Sequence, residues 1–151
     1  MKENQKDITV GVTDENNRLQ YQWKFNSDTI TQPDMDIDLT ISFDTDRENE
    51  VKEITGRDDL MYLSFSHHGA LPGPATIKTY VGNKYKDGDI VYLYYFNEEQ
   101  NRVESVGGVN KGLVVKDGYV EYTITHCSLY FLSQDTAEII KAVDPDTADN
   151  N

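Results

Sequence analysis

From Leu19 to Phe25 the apolar residues fall on every second position. Leu19, Tyr21, Trp23 and Phe25 share one side, and Gln20, Gln22 and Lys24 the other. A period of two is the pleat of a strand with one face in a core and one in water. The pattern recurs along the chain. Ile8-Thr9-Val10-Gly11-Val12 alternates too, and the turn-forming Asp14-Glu15-Asn16-Asn17 joins it to residues 19–25, which predicts a hairpin. Met35, Ile37, Leu39, Ile41 and Phe43 share a face opposite Asp36, Asp38, Thr40 and Ser42.

Further segments extend the series. Residues 44–59 are charged and predict a long loop with a short strand at 51–54. Residues 60–67 are apolar on both faces at first, as a central strand is. Residues 68–74, with Gly69, Pro72, Gly73 and Pro74, predict a rigid turn before a strand at 75–81. Ile90-Val91-Tyr92-Leu93-Tyr94-Tyr95-Phe96 is built of β-branched and aromatic types. Residues 102–106 return the chain. Asp117-Gly118 stands between 113–115 and 119–125 and predicts a two-residue hairpin; 128–133 closes the core.

Eight or nine short strands with little helical periodicity predict an all-β fold, a Greek-key β-sandwich of immunoglobulin-like or ZU5-like type, over residues 7–133. The expected core holds Trp23, Ile37, Leu39, Ile41, Leu63, Phe65, Ile77, Leu93, Val120, Ile124 and Phe131. Residues 1–6 are expected to be a disordered N-terminus, and 134–151 an acidic linker or tail. Within that tail a short helix over 136–143 is the one helical candidate, with Asp135 as its cap and Glu138 three residues on.

Charge and cysteine content narrow the partners. Twenty-seven acids against 14 bases give a net charge of −13, which repels nucleic acid and anionic membranes. No apolar run approaches the roughly 18 residues of a membrane span, so no membrane insertion is expected. The polar start carries no signal-peptide pattern; together with the acidic tail it favours a piece of a longer chain. Cys127 is the one cysteine, so no intrachain disulfide forms, and a lone thiol of this kind is ordinarily a small buried apolar group.

Four sets of residues carry chemistry worth weighing. Asp34, Asp36, Asp38, Asp44 and Asp46 are the candidate Ca²⁺ ligands, although Asn49 and Thr55 stand where an EF-hand loop starting at Asp44 needs Gly and an acid. The ordinary alternative is a solvated carboxylate row. Tyr92, Tyr94 and Tyr95 are the candidate ligand-stacking residues for a glycan, with cross-strand tyrosine packing as the alternative. His67, His68 and His126 are the only imidazoles; His126 and Cys127 are strand neighbours that point to opposite faces, so they form no catalytic pair. Lys78, Lys111 and Lys116 with Asn97 and Asn110 are the candidates for a side-chain cross-link, and no specific signature supports one. No nucleophile elbow or phosphate-cradling glycine loop is present. No catalytic residue and no required cofactor are expected.

Five ordered pieces carry a resemblance: residues 74–81, 89–97 with the tyrosine-rich strand, 102–107, Asp117-Gly118-Tyr119-Val120-Glu121-Tyr122, and the closing Thr125-His126-Cys127-Ser128-Leu129-Tyr130-Phe131-Leu132-Ser133. In this order they resemble β-sandwich surface modules of Gram-positive cell-wall and S-layer-associated proteins, over less than half of the chain. The resemblance implies an extracellular or cell-wall location and a structural, non-enzymatic role in a larger protein. Its partners would be neighbouring domains, with a glycan or protein ligand as the adhesin-like alternative, and the module itself a monomer. Leu129 departs from the polar residue common at that position.

Overall fold

The computed structural model describes residues 7–26, 30, 37–107 and 111–143. The elements in chain order are β1 (Asp7–Thr13), β2 (Leu19–Asn26), β3 (Ile41–Ser42), α1 (Glu48–Thr55), β4 (Met61–Tyr80), β5 (Ile90–Asn97), β6 (Arg102–Ser105), β7 (Leu113–Val114), β8 (Tyr119–Ser133) and α2 (Ala137–Ile140). All strand pairings are antiparallel in the order β1-β2-β4-β8-β5-β6, with β3 on β4 and β7 on β5. The fold is all-β and sandwich-like with a short C-terminal helix, as the alternation predicts.

Two long strands make the sandwich. β4 pairs with β8 at Ser64↔Leu129 and again at Ala75↔Ile124, and its register shifts twice in between. Gly69 takes φ +106° in that stretch, and Pro72 and Pro74 follow it. A proline gives no N–H to a ladder, so it fits where the register breaks. The predicted turn at 68–74 is therefore a bulged corner inside one continuous strand, not a break between two. It carries β4 from one half of the sandwich to the other, and β8 runs alongside it.

Side chains from both halves meet in the main core. Trp23, Ile77, Val120 and Tyr122 come from the first half; Leu63, Phe65, Val91, Leu93, Tyr130 and Leu132 come from the second. Trp23 is fully buried, with its ring edge-on to Phe65 at 5.7 Å. The second half buries its other face as well. Tyr62, Tyr94, Phe96, Val103, Leu129 and Phe131 pack under Val51 of α1 and Ala137 and Ile140 of α2. The molecule thus has a third layer, which explains why residues 129–133 are buried without alternation. Phe131 belongs to this outer core, whereas the other expected core residues line the main one or pack against it.

Several local expectations change. Residues 48–55 form α1, not a strand at 51–54: Val51 and Thr55 are buried one helical turn apart, and Lys52 pairs with Glu48 at 3.1 Å across the same spacing. Gly56 at φ +71° ends the helix, its N–H bonded to the Lys52 carbonyl. Of the alternating run 35–43, Met35 and Asp36 lie outside the described residues, 37–40 are not strand, and only Ile41–Ser42 pairs. The Asp38 carboxylate takes the Thr40 N–H at 3.0 Å, and the Leu39 carbonyl takes the Trp23 indole N–H at 3.0 Å. Side chains there use the backbone groups that a ladder would need.

The Asp117-Gly118 turn forms as read, with φ 55° and 88° and two 2.9 Å bonds between Lys116 and Tyr119. The hairpin stops after that pair. Val115 is buried in the main core and bonds through its backbone to Gly88 and Asp89, so β7 crosses to β5. α2 begins after Thr136 with no side-chain cap. Asp135, the expected cap, instead pairs with Arg57 at 2.7 Å.

Candidate functional site

The acidic row does not assemble. Asp34 and Asp36 lie outside the described residues. Asp38 is spent on its own turn, and the hydrogen bonds from Thr40 lower its pKa from the ordinary carboxylate value. Asp44 and Asp46 are exposed on the loop into α1. Among the described residues no three carboxylate, imidazole or thiol groups converge as a cation requires.

The tyrosine strand packs on both faces, and burial removes Tyr94 from any displayed stacking surface. Tyr94 is 1% exposed, and its hydroxyl donates to the Asp135 carbonyl at 2.7 Å. Tyr92 is half-buried against the same helix-covered core. The physical reason is the third layer: the Val91 face meets the main core while α1 and α2 cover the opposite face. Tyr95 lies on the Val91 side, with His126 at 4.9 Å and Tyr130 at 5.4 Å between ring centres.

The remaining candidates have structural surroundings. His67 Nε2 sits 2.9 Å from the Ala70 carbonyl, spanning the bulged corner of β4. His68 is exposed. Tyr130 donates its hydroxyl to the His126 carbonyl at 2.7 Å. Cys127 is buried on the core side, and burial pushes its thiol up to about 12, far from a reactive thiolate at neutral pH. Lys78 lies with its ammonium 5.0 Å from the centre of the Tyr119 ring. Asn97 donates to the Glu104 carboxylate at 3.0 Å. Lys111 and Lys116 are exposed, and Asn110 lies outside the described residues.

A cleft that residue-by-residue reading does not single out lies where the β1–β2 turn meets the β4–β5 loop. Asp14, Arg18, Gln20, Phe43, Leu60, Met61, Tyr62, Tyr80, Asn83 and Lys84 line about 470 Å³. Asp14 builds the turn. Its Oδ1 accepts from the N–H groups of Asn16 at 2.8 Å and Arg18 at 3.0 Å, and Asn17 takes the left-handed conformation at φ 62°. Arg18 leaves that turn over the Tyr80 ring, 4.6 Å from its centre. The Tyr80 ring meets Tyr119 edge-on at 5.3 Å, and the Tyr119 hydroxyl donates to the Leu19 carbonyl at 2.6 Å. The sequence signal was the turn-forming Asp14-Glu15-Asn16-Asn17 segment, which places Arg18 immediately before β2. Tyr80 and Asn83 gave no signal, because 60-odd residues separate them from Arg18.

No family model matches the chain, and no curated protein or solved structure matches it.

Proposed function

We propose that this chain is a non-enzymatic spacer module of a secreted or cell-surface bacterial protein. The observation that carries the reading is the path of the chain through the sheet. β1 occupies one edge of the hydrogen-bonded order, and Val143 bridges to Glu104 of β6 at the other edge. A tension applied through residues 7 and 143 is thus transmitted across every strand between them. The central strand β8 is held by β4 on one side and β5 on the other, so freeing it requires both pairings to open. The surface location rests on the resemblance of the five ordered pieces between residues 74 and 133.

Stretching tandem copies one molecule at a time tests the mechanical reading. The expected trace is one sharp rupture per copy. Each releases about 137 residues between Asp7 and Val143, roughly 480 Å at ~3.5 Å per residue less the folded span. Smooth extension without a rupture peak would refute it. An antibody against the folded chain, applied to intact cells of the source bacterium, tests the location; staining only after lysis would overturn it.

A further inference from the structure

Arg18 stands apart from the other three arginines. Arg47 pairs with Glu50 at 2.9 Å and Glu98 at 3.0 Å, Arg57 with Asp135 at 2.7 Å, and Arg102 with Glu104 at 2.8 Å. Arg18 makes no ion pair among the described residues, in a chain where acids outnumber bases 27 to 14. Its guanidinium is nonetheless held in place. The Asp14 turn fixes its backbone, and the Tyr80 ring supports its plane. That side chain lies close over Gly82 and Gly118, where a Cβ would come within 2.6 Å of its hydroxyl and 2.9 Å of its ring, and it meets Tyr119 edge-on. The result is an exposed planar donor fork that rests on an aromatic ring and is not paired with any described acid.

A second cation, Lys84, lines the same cleft, its ammonium 5.9 Å from the Tyr85 ring centre. Gln20 and Asn83 bring amide groups, and Phe43, Leu60 and Met61 an apolar wall. The volume of about 470 Å³ lies within the range of small-molecule sites.

We propose that this cleft binds a small hydroxylated carboxylate, an acidic sugar unit of the uronate type. The guanidinium fork matches a carboxylate in two parallel hydrogen bonds, and Lys84 adds a second charge. Amides both donate and accept, as sugar hydroxyls do. The apolar wall takes the C–H face of the sugar ring. Asp14 also lines the cleft and opposes an anion, but two backbone N–H groups already compensate part of its charge. The net charge of −13 opposes anions at long range. Screening over about 8 Å at physiological salt leaves the contact-range pairs to decide. The inference stands apart from the spacer reading, since rupture under tension and ligand affinity are measured separately.

Calorimetric titration of the full chain with digalacturonate tests it, with neutral cellobiose as comparator. Digalacturonate is expected to bind at least about tenfold more tightly than cellobiose, and less tightly as salt rises. Arg18→Gln is expected to weaken it by about tenfold or more, as loss of a charge-assisted pair does. Lys52→Gln, on α1 and paired with Glu48, is expected to leave it unchanged. Lys84→Gln provides a second test should Arg18→Gln unfold, with a loss in the same direction. Absence of digalacturonate binding, equal affinity for cellobiose, or full affinity in the folded cleft variants would each overturn the proposal.

Discussion

Gly118 and Gly56 share a left-handed conformation, at φ 88° and 71°, but not the same surroundings. A Cβ at Gly56 meets nothing within 4 Å, whereas one at Gly118 falls 2.9 Å from the Tyr80 ring. Gly56→Ala therefore carries only the backbone cost, about 1 kcal/mol. Gly118→Ala adds the displacement of Tyr80 and is expected to cost about 2 kcal/mol or more. Urea unfolding of the two variants checks this, and equal losses would show that Tyr80 yields freely. Because Tyr80 backs Arg18, the same Gly118 variant is also expected to loosen the cleft.

At the scale of elements, α2 shows how little intrinsic propensity matters once a face is available. Four residues without a side-chain cap are too short to persist alone. The helix exists because Ala137 and Ile140 close the outer core over Phe131 and Tyr94. Ile140 is 0% exposed and its neighbour Ile139 is 51% exposed. Ile140→Ala is expected to destabilise by about 2–4 kcal/mol and Ile139→Ala by less than about 0.5 kcal/mol. Comparable denaturation midpoints for the two variants would mean that α2 does not seal this layer. The strand reading of 51–54 failed for a related reason. Val51 and Ile54 are three apart, a helical spacing that a two-residue apolar signal conveys weakly, and the uncovered face of β5 and β8 decided between the alternatives.

The whole molecule is stabilised by aromatic burial, and this sets its response to alkali. Burial raises the pKa of Tyr62 from 10.0 to about 12 and of Cys127 from 9.0 to about 12. It also pushes Tyr85, Tyr94, Tyr95, Tyr122 and Tyr130 upward. Above pH 9 to 10 the unfolded chain loses these protons while the folded chain keeps them. The folded state then binds more protons than the unfolded one, so stability falls as pH rises. Full stability is expected below about pH 9, with progressive loss through pH 12. Urea unfolding at a series of pH values above 8 checks the sign. Stability independent of pH up to 12 would show that these hydroxyls ionise in place.

Local sequence marked most strands, although the alternating run at 37–40 formed none. Leu19 to Phe25 has one way to hide every second residue, and Ile90 to Phe96 is marked as strand by its β-branched and aromatic types. The Asp117-Gly118 turn was equally local, because its left-handed angles are a property of those two residues. The tertiary structure decided what lies on each face. Tyr92 and Tyr94 occupy alternate positions whether their face is wet or covered, and the docking of α1 and α2 buried Tyr94 and half-buried Tyr92. Pro72 and Pro74 read locally as a stop; only pairing with β8 on both sides of them makes a bent continuous strand. The cleft was the least legible feature, since Arg18 and Tyr80 meet only because β2 and β4 are neighbours. Periodicity fixes which side a residue takes, while contacts between distant segments depend on register and layer packing, which no local pattern records.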